Sequence, residues 1–120
     1  MSQLPVTSVE HLPPAVVVHV LAAELRKPEV DAICAAVDAA RVAAPASPFV
    51  LDMASVAFAG SLALGVLIGL SREFQSREQR LIFVNFQPDV RQSMEISRIN
   101  RVLEILPDVP AALRRLRGEG

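Results

Sequence analysis

Three short segments of the chain are almost wholly apolar and rich in β-branched or aromatic residues, a pattern typical of buried β-strands. These segments are 15–21, 49–53 and 81–86. Two weaker segments flank them, and they predict a short edge strand at 6–9 and a short last strand at 101–106. Stretches with helical periodicity follow the buried segments, so the pattern indicates strands and helices in alternation.

The helices are predicted from apolar positions that recur at helical spacing. The first begins at Pro28, where the missing backbone N–H costs nothing, and the third begins at Pro88. The last is predicted to be N-capped by Asp108. The apolar faces consist of Val30, Ile33, Cys34 and Val37 in the first helix, Val90, Met94 and Ser97 in the third, and Val109, Ala112, Leu113 and Leu116 in the last.

This alternation predicts an α/β fold with a mostly parallel sheet and helices packed on it. The chain has 120 residues, of which 52% are apolar and 21% are charged, enough to bury one hydrophobic core. We therefore predict a single domain over residues 1–120. Its core spans roughly 15–113, and residues 1–14 form a short N-terminal strand or arm.

The segment 53–71 has no charged side chain over nineteen residues, which is close to the length of a membrane-spanning helix. Gly60-Ser61 breaks it, however, because this pair is typical of a loop that leads into a helix, with Ser61 as the N-cap. The remaining helix, 62–76, ends in charged residues. We therefore predict no membrane insertion and interpret Gly65 and Gly69 as positions where the helix packs closely on the sheet.

Composition and charge narrow the function. The net charge of −1 does not favour nucleic acid, which usually binds a concentrated basic face. The one cysteine, Cys34, allows no internal disulfide and lies in an apolar setting that raises a thiol pKa. The N-terminus lacks a signal peptide pattern, so we expect a cytoplasmic protein. His19 is interpreted as a sheet residue rather than a ligand, no metal site or cofactor is predicted, and Asp52 has no paired nucleophile, so an enzyme is not expected.

Three segments, in order, resemble the STAS domain family, and within it the bacterial anti-sigma factor antagonists (anti-anti-sigma factors). The segment LDMASVAFAGSLALGVLIGL resembles the central signature of the family and keeps Leu51, Asp52, Phe58, Ser61, Leu64 and Gly65. The segment 21–37 keeps Glu24 and Leu25, and 88–105 keeps Pro88, Val90, Arg91, Ser97 and Ile99. The resemblance covers about residues 15 to 113.

The resemblance implies four or five strands in a mostly parallel or mixed sheet. It also implies binding to an anti-sigma factor that is a Ser/Thr kinase, with Ser61 as the phosphorylated residue. A phosphate at a helix N-terminus would meet free N–H groups and the positive end of the dipole. The candidate partner-binding residues are Glu24, Arg26, Lys27, Gly60, Leu62, Ala63 and Ser97.

The chain departs from the family pattern near the candidate phosphoserine. Gly60 stands where the family has an acidic residue, Leu62-Ala63 replaces Ser/Thr-Gly, and Arg26 replaces an aspartate. These departures leave two alternatives open: a STAS scaffold or transporter-associated subunit that is not phosphorylated, and a domain that senses a small ligand or nucleotide. Self-association is also left open. The simplest structural interpretation of Ser61 is that it only caps the helix.

Overall fold

The protein, seen in a computed structural model that describes residues 5–119, is built on one five-stranded sheet. The strands are β1 (Thr7–Leu12), β2 (Ala15–Val20), β3 (Phe49–Asp52), β4 (Leu81–Val84) and β5 (Glu104–Leu106). Their order in the sheet, β1-β2-β3-β4-β5, is their order in the chain. The β1–β2 pair is antiparallel and the other three pairs are parallel. The predicted α/β fold is confirmed, with a mixed sheet of five strands.

Four helices cover both faces of the sheet: α1 (Lys27–Ala43), α2 (Ser61–Ser76), α3 (Pro88–Ile96) and α4 (Val109–Leu116). Helices α1, α2 and α3 share the larger hydrophobic cluster with alternate residues of β2, such as Val18. On the other face, Val17 and Ala112 belong to a smaller cluster, against which Val109, Leu113 and Leu116 of α4 also pack. Because both faces are covered, the central strands read as continuous apolar runs rather than as an alternating pattern.

The boundaries differ from the prediction at both ends of the sheet. The first strand covers 7–12 instead of 6–9, and it pairs with β2 along its whole length in a hairpin across Pro13-Pro14. Its polar and exposed residues gave little strand signal. The last strand begins only at Glu104, because residues 99–101 form a short 3₁₀ turn. The predicted N-cap is confirmed: Asp108 accepts a hydrogen bond from the backbone N–H of Ala111 at 2.9 Å.

Helix α2 begins one residue earlier than predicted, and the assignment of Ser61 as its N-cap is wrong. Gly60 is the N-cap, its backbone extended at φ −83° and ψ −173°, and Ser61 is the first helical residue. The carbonyl of Gly60 accepts the first helical bond, from the N–H of Leu64 at 3.0 Å. Ser61 is therefore exposed at the start of the helix, with its side chain outside the capping position.

The interpretation of Gly65 and Gly69 as close packing on the sheet is also wrong. Both lie on the exposed face of α2, and a Cβ atom at either position would meet no atom within 4 Å. The sheet is contacted instead by a different face of the helix, because residues at 3- and 4-residue spacing share one side. The buried residues of α2 are Ala63, Leu64, Leu67, Leu70, Ser71 and Phe74.

Over residues 5–119, none of the helices combines the length and the apolar character needed to cross a membrane.

Candidate functional site

Two loops meet at the edge of the sheet where the parallel strands end. The loop after β2 and the loop after β3 are joined by a parallel bridge between Glu24 and Phe58. The N–H of Leu25 donates to the carbonyl of Phe58 at 3.2 Å, and the N–H of Ala57 donates to Ala23 at 2.8 Å. Since successive parallel strands end at the same edge, two segments far apart in the chain form one surface. We call residues 21–27 and 57–62 the carboxyl-edge surface.

Two apolar side chains stand out on this surface. Phe58 is 63% exposed and Leu62 is 56% exposed, on either side of Gly60 and Ser61. A Cβ at Gly60 would lie 3.7 Å from the ring of Phe58, so the ring lies against the N-cap of α2. Exposed apolar residues grouped in one patch are typical of a protein contact, whereas scattered ones are normal on any surface. Phe58 and Leu62 precede and follow the candidate phosphoserine Ser61 in the chain, within one stretch of the carboxyl-edge surface.

Charged residues occupy the other segment of the carboxyl-edge surface, 21–27. The guanidinium of Arg26 donates to the carboxylate of Glu24 at 3.0 Å, and Lys27 pairs with Asp31 at 3.0 Å. The backbone N–H of Arg26 also donates to the carboxylate of Glu29 at 3.0 Å, which fixes the start of α1. Exposed ion pairs of this kind contribute only about 0 to 1 kcal/mol, so they can be exchanged for groups of another protein.

The predicted site residues separate into three sets. Six of them, Glu24, Arg26, Lys27, Gly60, Ser61 and Leu62, lie on the carboxyl-edge surface. Ala63 does not, because it is only 1% exposed and packs in the core beneath the loop; it is therefore removed from the residues that can touch a partner. Ser97 is exposed, and it lies outside segments 21–27 and 57–62, directly after the C-terminus of α3.

The chemistry at Ser61 suits a phosphate. The first turn of α2 holds backbone N–H groups without helical partners, and it contains no acidic residue. A phosphate on Ser61 would therefore meet N–H donors and the positive end of the helix dipole without a neighbouring carboxylate to repel it. The absence of an acid at position 60 removes a group that a kinase or its metal could use, but it does not disturb the environment of the phosphate.

Sequence reasoning missed a polar network next to this surface. The Nδ1 atom of His19 lies 2.6 Å from Oδ2 of Asp52, and its Nε2 lies 2.9 Å from Oε1 of Glu10. The other oxygen of Asp52 accepts hydrogen bonds from the side-chain amide of Asn85 at 2.9 Å and from the N–H of Ala54 at 3.0 Å. The network therefore links β1, β2, β3 and the turn after β4. His19 is a sheet residue, as expected, but its partners depend on register and could not be read from the chain.

The network shifts the acidity of its members. Partial burial lowers the pKa of His19, but hydrogen bonds with Glu10 and Asp52 outweigh this effect and raise the pKa above the ordinary 6.5. Burial raises the pKa of Asp52, but hydrogen bonds from Asn85, His19 and Ala54 bring it below 3.8. The charged forms of His19 and Asp52 thus stabilise each other.

The remaining chemistry-bearing residues form no site. Among residues 5–119, His, Cys, Asp and Glu side chains do not group in a way that could hold a metal ion. Cys34 is half-buried, and burial, together with the nearby carboxylates of Asp38, Asp31 and Glu73, raises its pKa. The predicted direction of this shift is confirmed, and a thiol with a raised pKa is a poor nucleophile.

Comparison with known proteins identifies relatives of this fold. An anti-sigma factor antagonist from Mycobacterium paratuberculosis is 27% identical, with a TM-score of 0.76 over 92% of each chain. The Bacillus cell fate determinant SpoIIAA in its phosphorylated form is 21% identical, with a TM-score of 0.68 over 92% of this chain and 99% of that chain. The murine Slc26a9 anion transporter is 15% identical, with a TM-score of 0.73 over 91% of this chain and 18% of that chain. No curated protein sequence matches the chain.

The family assignment follows from the extent of the match. The model of the STAS domain matches residues 8–112, from the first strand to the last helix. The match includes both loops of the carboxyl-edge surface and Ser61. The five-stranded mixed sheet with four helices agrees with the solved structures. The chain belongs to the STAS domain family.

Proposed function

We propose that the protein is an anti-sigma factor antagonist, a cytoplasmic regulator that binds an anti-sigma factor through its carboxyl-edge surface and catalyses no reaction itself. The observation that carries the proposal is the joining of the two loops, which presents Phe58 and Leu62 as exposed apolar neighbours of Ser61. The similarity to the Mycobacterium paratuberculosis antagonist supports the choice of partner.

The surface has the composition of a small protein interface. Phe58 and Leu62 supply apolar anchors, and buried anchors of this type carry most of the binding energy in protein complexes. Glu24, Arg26 and Lys27 supply a polar rim whose exposed ion pairs are weak enough to rearrange. Charges at the rim mainly affect the association rate and the choice of partner.

We propose that phosphorylation of Ser61 switches this binding off, and that the anti-sigma factor is the kinase. The structure of phosphorylated SpoIIAA supports such a modification in this family. A phosphate would add a charge of about −2 between the two apolar anchors, where a bound partner would have to desolvate it. The N–H groups at the start of α2 would hold the phosphate, so the domain would stay folded and the partner would be repelled.

The binding proposal is tested with the candidate anti-sigma factors encoded in the same genome, by isothermal titration calorimetry. Leu62→Glu is expected to weaken binding by at least about tenfold, because it places a charge at an apolar anchor. Val42→Glu is the matched control, since Val42 is an exposed apolar residue at 84%, near the C-terminus of α1 and outside this surface. Equal losses in both variants would contradict the surface, and failure of every candidate to bind would contradict the function.

The switch is tested by incubating the protein with ATP and the partner that binds, followed by intact-mass and peptide mass spectrometry. One phosphoryl group is expected on Ser61, absent in Ser61→Ala and retained in Ser97→Ala. The phosphorylated protein is expected to lose affinity for the partner. A partner that binds tightly but leaves Ser61 unmodified would show that the chain acts without this switch.

A second function is favoured by a specific departure at the same site. Gly60 stands where an acid would precede the phosphoserine, and the fold also matches a segment of the Slc26a9 transporter. A STAS scaffold or transporter-associated subunit without phosphorylation fits both observations. Recovery of the protein with a transporter after crosslinking in cells, together with unmodified Ser61, would favour this function over the first.

A further inference from the structure

We propose that His19 is a proton-dependent clasp that holds the edge strand β1 to the carboxyl end of β3. The proposal is independent of the partner and of Ser61. It rests on the position of one imidazole ring between two carboxylates from different strands: Glu10 on β1 and Asp52 at the end of β3. Strand β1 has only one neighbour in the sheet, so side-chain contacts beyond β2 matter for its attachment.

The geometry requires a specific protonation state. Ionised carboxylates only accept hydrogen bonds, and an imidazole ring can donate from both nitrogens only when it is protonated. Each nitrogen of His19 faces a carboxylate oxygen, so the imidazolium makes two charge-assisted hydrogen bonds. The neutral ring keeps one donor and turns a lone pair toward the other carboxylate. Loss of one proton therefore removes one of the two links.

The link that is lost is the one to β1. The contact with Asp52 is shorter, 2.6 Å against 2.9 Å, and the side chain of Asp52 is only 14% exposed. Glu10 is 51% exposed and can be hydrated by solvent when it is released. Asp52 is also held by Asn85 and by the N–H of Ala54, which fix its position for the remaining donor. The neutral ring therefore retains its proton on Nδ1, toward Asp52.

The elements around His19 bring no other charge to it. Its alternation with Val17 places it on the face of the sheet that α4 covers, and α4 contacts β3, β4 and β5. In the region from residue 5 to residue 119, the charged side chains of α4 and of α1 make no hydrogen bond or ion pair with His19. The open groove beside the ring is completed by neutral residues, including Ser8 and Ser55. Glu10 and Asp52 are thus the groups that set its protonation.

The attachment of β1 through His19 is expected to weaken as the pH rises. Partial burial disfavours the charged ring, but the hydrogen bonds with Glu10 and Asp52 are stronger and raise the pKa of His19 above 6.5. The clasp is therefore closed where the carboxylates are ionised and the pH lies well below the pKa of His19 in the folded protein, and it opens as the pH rises through that pKa. Each unit by which this pKa is raised corresponds to about a tenfold change in the equilibrium between closed and open states.

Two NMR measurements on the full chain test the clasp. Titration of the imidazole signals is expected to give a His19 midpoint above 6.5, and Glu10→Gln is expected to lower that midpoint. Hydrogen exchange, expressed as protection factors corrected for the intrinsic rate, is expected to show lower protection of β1 amides above the midpoint than below it. Amides of β3 and β4 should not change over the same interval.

Two variants complete the test. His19→Gln is expected to remove the pH dependence of β1 protection. His11→Gln, which removes the exposed imidazole of the same hairpin, is expected to leave it intact. A His19 midpoint at or below 6.5, or β1 protection that does not change with pH in the unmodified chain, would overturn the proposal. If His19→Gln does not fold, the response of the His19 midpoint to Glu10→Gln decides the question on a folded protein.

Discussion

The guanidinium of Arg41 lies over the ring of Phe74, with its central carbon 4.0 Å from the ring centroid. Arg41 is buried near the C-terminus of α1, and it joins that helix to α2 at the end of the domain opposite the carboxyl-edge surface. Its Nε donates to the side-chain oxygen of Gln79 at 3.0 Å, and its Nη1 lies 3.3 Å from Glu73. A buried charge held in this way makes its partners important for stability.

Gln79 is the partner of Arg41 whose substitution is expected to reduce stability most. Its amide nitrogen donates to the carbonyls of Ser47 at 2.7 Å and Ala44 at 3.4 Å, while its oxygen accepts from Arg41. Gln79→Leu would remove the acceptor of the buried Arg41 Nε and the side-chain donor to the carbonyl of Ser47, whereas the carbonyl of Ala44 would keep the N–H of Ser47 at 3.3 Å. We expect it to lower the free energy of unfolding by about 2 to 4 kcal/mol. Urea denaturation measures the change, and Gln75→Leu, an exposed position on α2, is the control that should remain within about 0.5 kcal/mol.

Asp52→Asn is expected to destabilise the protein in a pH-dependent way. The pKa of Asp52 is lowered below 3.8, so the stability it contributes is present above pH 3.8 and is lost as the pH falls through the pKa of the folded protein. The difference between the native chain and the variant should be about 1 to 3 kcal/mol near neutral pH and should shrink in acid. Urea denaturation at a series of pH values measures it. A difference that stays constant down to acid pH would contradict the proposed ionic role.

Gly65→Ala and Gly69→Ala are expected to stabilise the protein by about 0.5 to 1 kcal/mol each. Both glycines lie inside α2, and an added methyl group meets open space. Gly118→Ala is the contrasting variant, because Gly118 has φ of +77° and an alanine there would be strained. Thermal unfolding should therefore shift upward for the first two and downward, by a smaller amount near the chain end, for the third. Destabilisation by Gly65→Ala would contradict the open space beside the Cβ position of Gly65.

Asp108→Ala is expected to cost about 1 kcal/mol, since it removes the hydrogen bond to the N–H of Ala111 at the start of α4. Asp108→Asn retains an oxygen acceptor and should restore most of this loss. Chemical denaturation of both variants gives the comparison. Equal losses for alanine and asparagine would indicate that the charge, rather than the cap, is the source of the stabilisation.

The sequence was sufficient for features that depend on local chemistry. The β-branched runs around Val17, Val50 and Ile82 predicted three buried strands, because burial on both faces leaves no polar positions in a strand. The N-cap at Asp108 was predicted because the accepting carboxylate and the donating N–H of Ala111 are only three residues apart in the chain. The order of these local signals was also enough to place Ser61 at the start of a helix.

Two kinds of feature could not be predicted: the face that a helix turns toward the sheet, and the register in which two strands pair. Ala63 is buried, whereas Gly65 and Gly69 are exposed, because the face of α2 that meets the sheet is set by packing and not by composition alone. The contact between His19 and Asp52 requires that strands 33 residues apart pair in register. A shift of one residue in that pairing would send these side chains to opposite faces of the sheet.

The strands lie side by side in the sheet in the same order in which they are synthesised. Each strand from β2 onward is placed beside the strand made just before it, so no late segment has to insert between two strands that are already paired. The sheet can therefore grow outward from the β1–β2 hairpin as the polypeptide leaves the ribosome, with each crossover helix covering the newest strand.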